Sequence, residues 1–168
     1  MPEPDNEYLR RLGKACYSYA AVEWEVVAAV ADHSDYSDYS EEEVEEFSPW
    51  FIKWTETSKK GPKGSINPLD SMWEDDEEWQ RLAQRFRQLV DKRNALVHSY
   101  PMTASPVLRR LLYYKNPADT RNFAISEHWL HNFISESERL HDDLTEFLQI
   151  KRLEQIENRE LESPSSPA

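Results

Sequence analysis

The sequence predicts an all-α protein, a four- to five-helix bundle with a short irregular or hairpin insertion between its last two long helices. Apolar residues recur at spacings of three and four, which is the period of an amphipathic helix. Serines in capping positions precede several of these segments, and prolines and glycines separate them. A length of 168 residues suits one domain, which we expect to span residues 1–160 and to precede a disordered tail, residues 161–168.

Two helices are predicted in the first part of the chain. The first should run from about Asn6 to Asp32, with an apolar stripe formed by Leu9, Leu12, Cys16, Tyr19, Val26, Val27 and Val30. Glu23 falls inside this stripe, so its carboxylate needs a polar partner or a water-lined cleft. Ser40 and Glu43 form a capping box that opens the second helix, and a flexible basic loop over residues 57–69 should follow it.

The third and fourth helices are predicted in the second half of the chain. A capping box of Ser71 and Glu74 should open the third, which extends to about His98 and must end before Pro101. The fourth should be capped by Ser126 and continue to about residue 160. Residues 107–114 and 122–125 flank a turn sequence between these two helices, which predicts the hairpin or irregular insertion.

The charge of the chain is unevenly distributed. A net charge of −12 argues against general affinity for nucleic acids. Residues 81–121, however, hold nine basic and two acidic residues, so this stretch carries +7 and the remainder carries −19. The stretch could offer one basic surface to an anion, although a run of solvated arginines explains the charge equally well.

Other features restrict location and chemistry. Cys16 is the only cysteine, which excludes an internal disulfide and a cysteine-based metal site. We expect a cytoplasmic protein without membrane contact, because no signal peptide is evident and carboxylates interrupt the short apolar stretch of residues 20–31. Glu138 and His141 have the spacing of half a carboxylate-bridged di-iron site, but the second pair is missing. We therefore expect no metal and no cofactor.

The inward face of the third predicted helix stops being apolar near its end. Arg93 and Asn94 continue the apolar stripe at helical spacing, and His98 follows Asn94 by four residues. Burying such side chains without a partner costs free energy. We therefore expect this face to meet something polar: a carboxylate such as Glu23, a second subunit, or a substrate.

The string Arg93-Asn94-Ala95-Leu96-Val97-His98 resembles the motif of the HEPN superfamily, in which a histidine follows an arginine after four to six residues near the end of a late helix. HEPN proteins are small helical bundles, and many are metal-independent ribonucleases. The resemblance covers residues 9–153, although only the third helix matches closely. It implies an endoribonuclease that acts as a toxin or phage-defence effector, with a composite site in the cleft of a homodimer.

The residue types of this motif suit RNA cleavage by the RNA's own 2′-hydroxyl. Histidine is the side chain that most often gives and takes protons in catalysis, so His98 can act as an acid or a base. Arg93 offers a permanent, forked donor to phosphate oxygens, and Asn94 can orient either side chain. One chain supplies one such histidine, so pairing two copies of this helix would complete the site.

Tyr100 extends the motif to a string found in a HEPN toxin group, Arg-x4-His-x-Tyr. The partner antitoxin of that group is a nucleotidyltransferase that transfers AMP to the tyrosine, so the likeness implies a modified Tyr100 and such a partner. Because Tyr100 precedes a proline, its backbone should be extended. A simpler role for this residue is to close the cleft or to stack on a base.

The alternative to an enzyme is a catalytically inactive HEPN-like dimer that binds a protein partner or a nucleotide. In that interpretation Arg93 pairs with Glu23 or another core carboxylate, while Asn94 and His98 cap the helix end. The strong overall acidity of the chain favours this alternative.

Overall fold

Three long helices dominate the part of the protein that the structure describes. The structure, a computed structural model, describes residues 5–33, 57, 68–69, 71–103, 109–113 and 123–162. The helices are α1 (Asn6–Asp32), α2 (Glu77–Val97) and α3 (Glu127–Glu162). The described chain is mostly helical, which is consistent with the predicted all-α class. The second predicted helix, most of the basic loop and the end of the tail lie outside the described residues.

Helix α1 is capped by Asp5, whose side chain accepts hydrogen bonds from the backbone N–H groups of the second and third helical residues. Its buried apolar side chains include Tyr8, Ala15, Tyr19, Val22, Val26 and Val30. The predicted stripe is therefore confirmed in the C-terminal half of the helix. It is wrong at Leu9, which is 45% exposed, and at Cys16, which is exposed.

The rotation of α1 about its axis follows from Tyr8. Its hydroxyl donates to the carbonyl of Ile125 at 2.9 Å and accepts from the backbone N–H of Leu111 at 3.2 Å. Both bonds require Tyr8 to point inward, which turns the neighbouring Leu9 towards solvent. A contact between residues more than 100 positions apart thus decides which edge of the apolar stripe is buried.

Helix α2 is capped by Asp76, five residues after the predicted capping residue Ser71. The Asp76 carboxylate accepts from the backbone N–H groups of Glu78 and Trp79, both at 3.0 Å. These N–H groups, that of Trp79 foremost, and the ammonium of Lys151 hold the pKa of Asp76 below its usual range. Ser71 instead donates its hydroxyl to a backbone carbonyl three residues earlier, within a turn.

Ion pairs reveal the relative directions of the helices. Those that join α3 to the other two helices within the described residues include Arg85–Asp143, Lys92–Glu136, Lys14–Glu138 and Arg152–Asp32. Between α2 and α3 the residue numbers rise on one helix as they fall on the other, so these helices are antiparallel. Between α1 and α3 the numbers rise together, so these are parallel. Exposed pairs of this kind contribute about 1 kcal/mol or less each, so apolar burial must hold the helices together.

The insertion between α2 and α3 is an antiparallel sheet of three strands in the order β1-β2-β3. Its strands are β1 (Tyr100–Thr103), β2 (Arg109–Tyr113) and β3 (Phe123–Ile125). The pair formed by β2 and β3 corresponds to the predicted hairpin, and β1 adds a third strand. Tyr100 begins β1, as its predicted extended backbone requires.

The core lies between the three helices and under the sheet. Its largest fully buried side chains include Trp79, Phe86, Phe133, Ile125, Leu130 and Leu140. The apolar stripe of the third predicted helix is buried at Trp79, Leu82, Phe86, Leu89, Val90 and Leu96, whereas Val97 is 53% exposed. No helix in the described part of the chain combines the length and the hydropathy that a membrane span needs.

Candidate functional site

Arg93 lies on the side of α2 that faces α1. Its guanidinium carbon is 5.8 Å from the centre of the Tyr19 ring, over the ring face, where a cation is attracted. One guanidinium N–H donates to Asn94 Oδ1 at 3.3 Å. No carboxylate among the described residues comes within 4.0 Å of Arg93, so its remaining N–H groups are not used in an ion pair there.

Glu23 lies one turn after Tyr19 on the same helix and is partly buried. Burial raises the pKa of the Glu23 carboxyl, and the positive charge of Arg93 opposes this rise only in part. The two side chains therefore interact through space without forming a direct ion pair. A carboxyl whose pKa is raised exchanges its proton nearer to neutral pH than an exposed one does.

Tyr19 contributes an unsatisfied polar atom to this region. Its side chain is 4% exposed, its ring stacks on Phe133 with centres 6.3 Å apart, and its hydroxyl has no hydrogen-bond partner among the described residues. Burial raises the pKa of the Tyr19 hydroxyl, the negative charge of Glu23 adds to the rise, and Arg93 opposes it. We call Tyr19, Glu23 and Arg93 the polar cluster.

The Tyr19 hydroxyl leads to a stability prediction with a matched control. Tyr19→Phe should leave the free energy of unfolding unchanged or raise it by about 1 kcal/mol, because a buried hydroxyl without a partner costs free energy. Tyr8→Phe should lower it by about 1–2 kcal/mol, because the Tyr8 hydroxyl makes two hydrogen bonds. Urea unfolding of both variants measures the contrast, and an equal loss in both would show that the Tyr19 hydroxyl has a partner.

His98 lies outside the polar cluster. It follows the last residue of α2, its side chain is exposed, and its backbone N–H donates to the Asn94 carbonyl at 3.0 Å. Residues five apart on a helix point in directions that differ by about 140°. Within one chain, Arg93 therefore faces α1 while His98 faces solvent on the side of Asn94. Asn94 contacts Arg93 directly and has the same helical phase as His98.

Two further predicted features have partial outcomes. Tyr100 lies two residues beyond His98, and its backbone pairs with that of Leu112 in the sheet.

The basic residues of α2 do not form one free basic surface, because Arg85 and Lys92 pair with carboxylates of α3. Pairing with α3 was not visible in the sequence, because the partners lie 44 and 58 positions away.

Three surface clefts among the described residues lie away from the motif. One of about 290 Å³ between α2 and α3 is lined mainly by Arg85, Gln88, Lys92, Glu136 and Arg139. Two others, of about 270 and 340 Å³, lie towards the C-terminal part of α3. None of these three clefts includes Arg93, Asn94 or His98. Within the described ranges, no three His, Cys, Asp or Glu side chains are placed to hold a metal ion.

Tyr19 is the member of the site that the sequence did not single out. It lies in the apolar stripe, where a tyrosine is usually a packing residue. The only sequence feature that pointed to a role in the site was its position one turn before Glu23.

Comparison of the chain with protein-family models, curated proteins and solved structures finds no match. The candidate site is thus a helical interface that combines a cation, a carboxyl with a raised pKa and an unsatisfied hydroxyl, with an exposed imidazole beyond the helix end.

Proposed function

We propose that the protein is a metal-independent endoribonuclease of HEPN type, a cytoplasmic toxin or phage-defence effector that acts as a homodimer. The observation that carries the proposal is Arg93, a partly buried cation that faces Tyr19 and Glu23 of α1. It forms no direct ion pair with a described residue, and it lies five residues before an exposed histidine. We also propose that the fold is a four- to five-helix bundle, which contains the three long helices and the second predicted helix.

The unused N–H groups of Arg93 suit a phosphate group. They can donate to its non-bridging oxygens and stabilise the charge that develops on the phosphorane. Asn94 accepts from the guanidinium at 3.3 Å and restricts its orientation. The raised pKa of Glu23 favours this role, because a protonated carboxyl competes less with a phosphate for the guanidinium.

His98 supplies proton transfer in the proposed reaction. One imidazole takes the proton from the 2′-hydroxyl, whose oxygen attacks phosphorus, and the bond from phosphorus to the 5′-oxygen breaks. A second, protonated imidazole gives its proton to the leaving oxygen, so the products are a 2′,3′-cyclic phosphate and a 5′-hydroxyl. Each chain holds one His98, so the second imidazole comes from a second copy.

Tyr100 links the proposed enzyme to a proposed antitoxin. It begins a strand two residues after His98, so AMP attached to it would bring negative charge close to the motif. That charge would repel an RNA phosphate. A nucleotidyltransferase is therefore the proposed partner. A gene for such an enzyme next to the gene for this chain would support this assignment.

The test is cleavage of RNA by the purified chain in the presence of a chelator. Wild-type protein should cleave single-stranded or structured RNA, and His98→Ala should reduce the rate by a factor of about 100 to 10,000. His131→Ala, at an exposed histidine of α3, is the matched control and should retain full activity. The proposal fails if the wild type does not cleave, or if it cleaves no better than His98→Ala.

A catalytically inactive dimeric module that binds a protein or a nucleotide is the second candidate. One observation favours it: the neighbours of Arg93 are the Tyr19 ring, Asn94 and Glu23 of its own chain. This candidate loses if expression of the intact chain stops cell growth and expression of His98→Ala does not.

A further inference from the structure

Arg93 and Glu23 carry opposite charges and face each other across the interface of α1 and α2, yet they do not form an ion pair. Both side chains are partly buried. Burial raises the pKa of the Glu23 carboxyl, and the charge of Arg93 opposes this rise, so the two groups are close enough to interact. No carboxylate of a described residue lies within 4.0 Å of the guanidinium, however. Opposite charges attract more strongly where water is partly excluded, so another contact must hold the guanidinium back.

The Tyr19 ring and the Asn94 side chain make the contacts that hold the guanidinium. Its carbon lies 5.8 Å from the centre of the Tyr19 ring, over the ring face, and one N–H donates to Asn94 Oδ1 at 3.3 Å. The hydrogen bond joins adjacent residues of one helix, so the ring supplies the contact across the interface. Tyr19 is only 4% exposed, and a cation over an aromatic face is attracted more strongly when water is excluded from the contact.

Other aromatic rings fix the position of Tyr19. Its ring stacks on Phe133 of α3, with centres 6.3 Å apart and planes inclined by 19°. Phe133 stacks in turn on Trp129, with centres 5.3 Å apart and planes inclined by 8°. Phe133 is fully buried, so Tyr19 cannot turn away from it without opening the core. The ring is therefore a rigid support for the guanidinium.

We propose that Tyr19 is a positioning residue whose ring holds the Arg93 guanidinium away from Glu23 and leaves its other N–H groups free for a phosphate group. The inference deepens the proposed function and rests on it, because it takes the phosphate to be that of the RNA substrate. A guanidinium that is already ordered loses less conformational entropy when it binds an anion. Without the ring, the side chain would turn to Glu23, one turn further along α1, and the carboxylate would occupy the forked donor.

The ring rather than the hydroxyl of Tyr19 carries this role. The hydroxyl has no hydrogen-bond partner among the described residues, so it does not restrain Arg93. Tyr19→Phe should therefore keep the restraint. Tyr19→Leu, which fills much of the same space without an electron-rich face, should remove it. Replacement of Tyr19 by pentafluorophenylalanine keeps the shape and the packing on Phe133 but reverses the charge distribution of the ring, so it should act like leucine.

Binding of inorganic phosphate to the full chain, followed by nuclear magnetic resonance, tests the inference. The reporter is the Nε–H signal of Arg93, which is assigned by its loss in Arg93→Lys. Phosphate should shift this signal in the wild type. Tyr19→Leu and the pentafluorophenylalanine variant should bind phosphate about 3- to 10-fold more weakly, the effect of losing a shielded contact between a cation and a ring. A wild-type signal that does not respond to phosphate, or equal affinities in the wild type and the pentafluorophenylalanine variant, overturns the proposal.

Glu23→Gln separates positioning from packing. In Tyr19→Leu the guanidinium is expected to pair with Glu23, so the added Glu23→Gln substitution should restore phosphate binding to within about two-fold of the Glu23→Gln single variant. In the wild-type background the same substitution should have a smaller effect, because the carboxylate is not engaged there. A loss of binding that came from disturbed packing would not be reversed at Glu23. Additive effects of the two substitutions therefore contradict the proposal.

Phe147→Leu is the matched control for the loss of a buried ring. Phe147 packs on Trp79 near the start of α2, whereas Arg93 lies near the end of that helix. Its ring also lies under a cation, Lys151, but that ammonium has carboxylate partners of its own. The control should unfold at a lower urea concentration than the wild type and yet bind phosphate equally well. Weakened binding in this control would assign the effect of Tyr19→Leu to the fold and so overturn the proposal.

The two proposals fail in different ways. Phosphate binding at Arg93 with the expected variants, but without RNA cleavage, supports the role of Tyr19 and contradicts the ribonuclease. RNA cleavage that is equally fast in the wild type and in the pentafluorophenylalanine variant supports the ribonuclease and contradicts the role of Tyr19. Slower cleavage in that variant, together with weaker phosphate binding, supports both.

Discussion

Replacing Arg93 by alanine is expected to lower the rate of RNA cleavage by about two to three orders of magnitude, the usual loss when one donor to a developing negative charge is removed. The guanidinium forms one hydrogen bond, to Asn94, and no ion pair with the described residues, so most of its N–H groups are available to a phosphate. Helix α2 should stay folded, because the apolar side chains on either side of Arg93 carry its packing. Single-turnover cleavage at saturating protein measures the loss.

Two further variants separate catalysis from folding. Arg93→Lys keeps the charge but loses the forked geometry, so cleavage should be intermediate between wild type and alanine. Lys92→Ala removes the neighbouring cation, which pairs with Glu136 on the surface, and should cleave normally. If Arg93→Ala is folded and cleaves like wild type, Arg93 is not part of a catalytic site.

The long helices were predictable because each carries its own signal. The ends of α1 and α2 agree with the expected ones within a residue or two, except at the start of α2. The capping box of Ser71 and Glu74 had predicted a start five residues before the observed cap. Asp76 caps the helix in the structure, and its carboxylate also pairs with Lys151 of α3 at 3.0 Å. That contact depends on tertiary structure, which the local pattern does not contain.

Only those features of the candidate site that depend on the local sequence pattern could be predicted. The inward direction of Arg93 and the proximity of Glu23 follow from helical phase, and the structure agrees with both. The exposed position of Cys16 does not follow from it, because the buried Tyr8 sets the rotation of α1 through bonds to distant residues. The unsatisfied hydroxyl of Tyr19 does not follow from helical phase either, since a hydroxyl finds a hydrogen-bond partner only if another helix places one beside it.

Trp79→Ala is expected to have the largest effect on stability, a loss of about 3–5 kcal/mol in the free energy of unfolding. Trp79 is fully buried, and its ring centre lies 4.8 Å from that of Trp73 and 5.5 Å from that of Phe147. Its indole N–H donates to the Leu69 carbonyl at 3.2 Å, so the side chain ties the turn before α2 to the core. Trp73 has a φ of 44°, an unfavourable backbone conformation that these contacts must hold.

Trp79→Phe separates the contributions of the ring and of the hydrogen bond. It keeps an aromatic group against Phe147 but leaves the Leu69 carbonyl without its donor, so about 1–3 kcal/mol should be lost. Val97→Ala, at a residue that is 53% exposed near the end of the same helix, should change stability by about 0.5 kcal/mol or less. Urea unfolding followed by circular dichroism compares the three variants. A loss in Trp79→Ala no greater than that in Val97→Ala would mean that Trp79 does not join α2 to α3, and the antiparallel packing of these helices would need another cause.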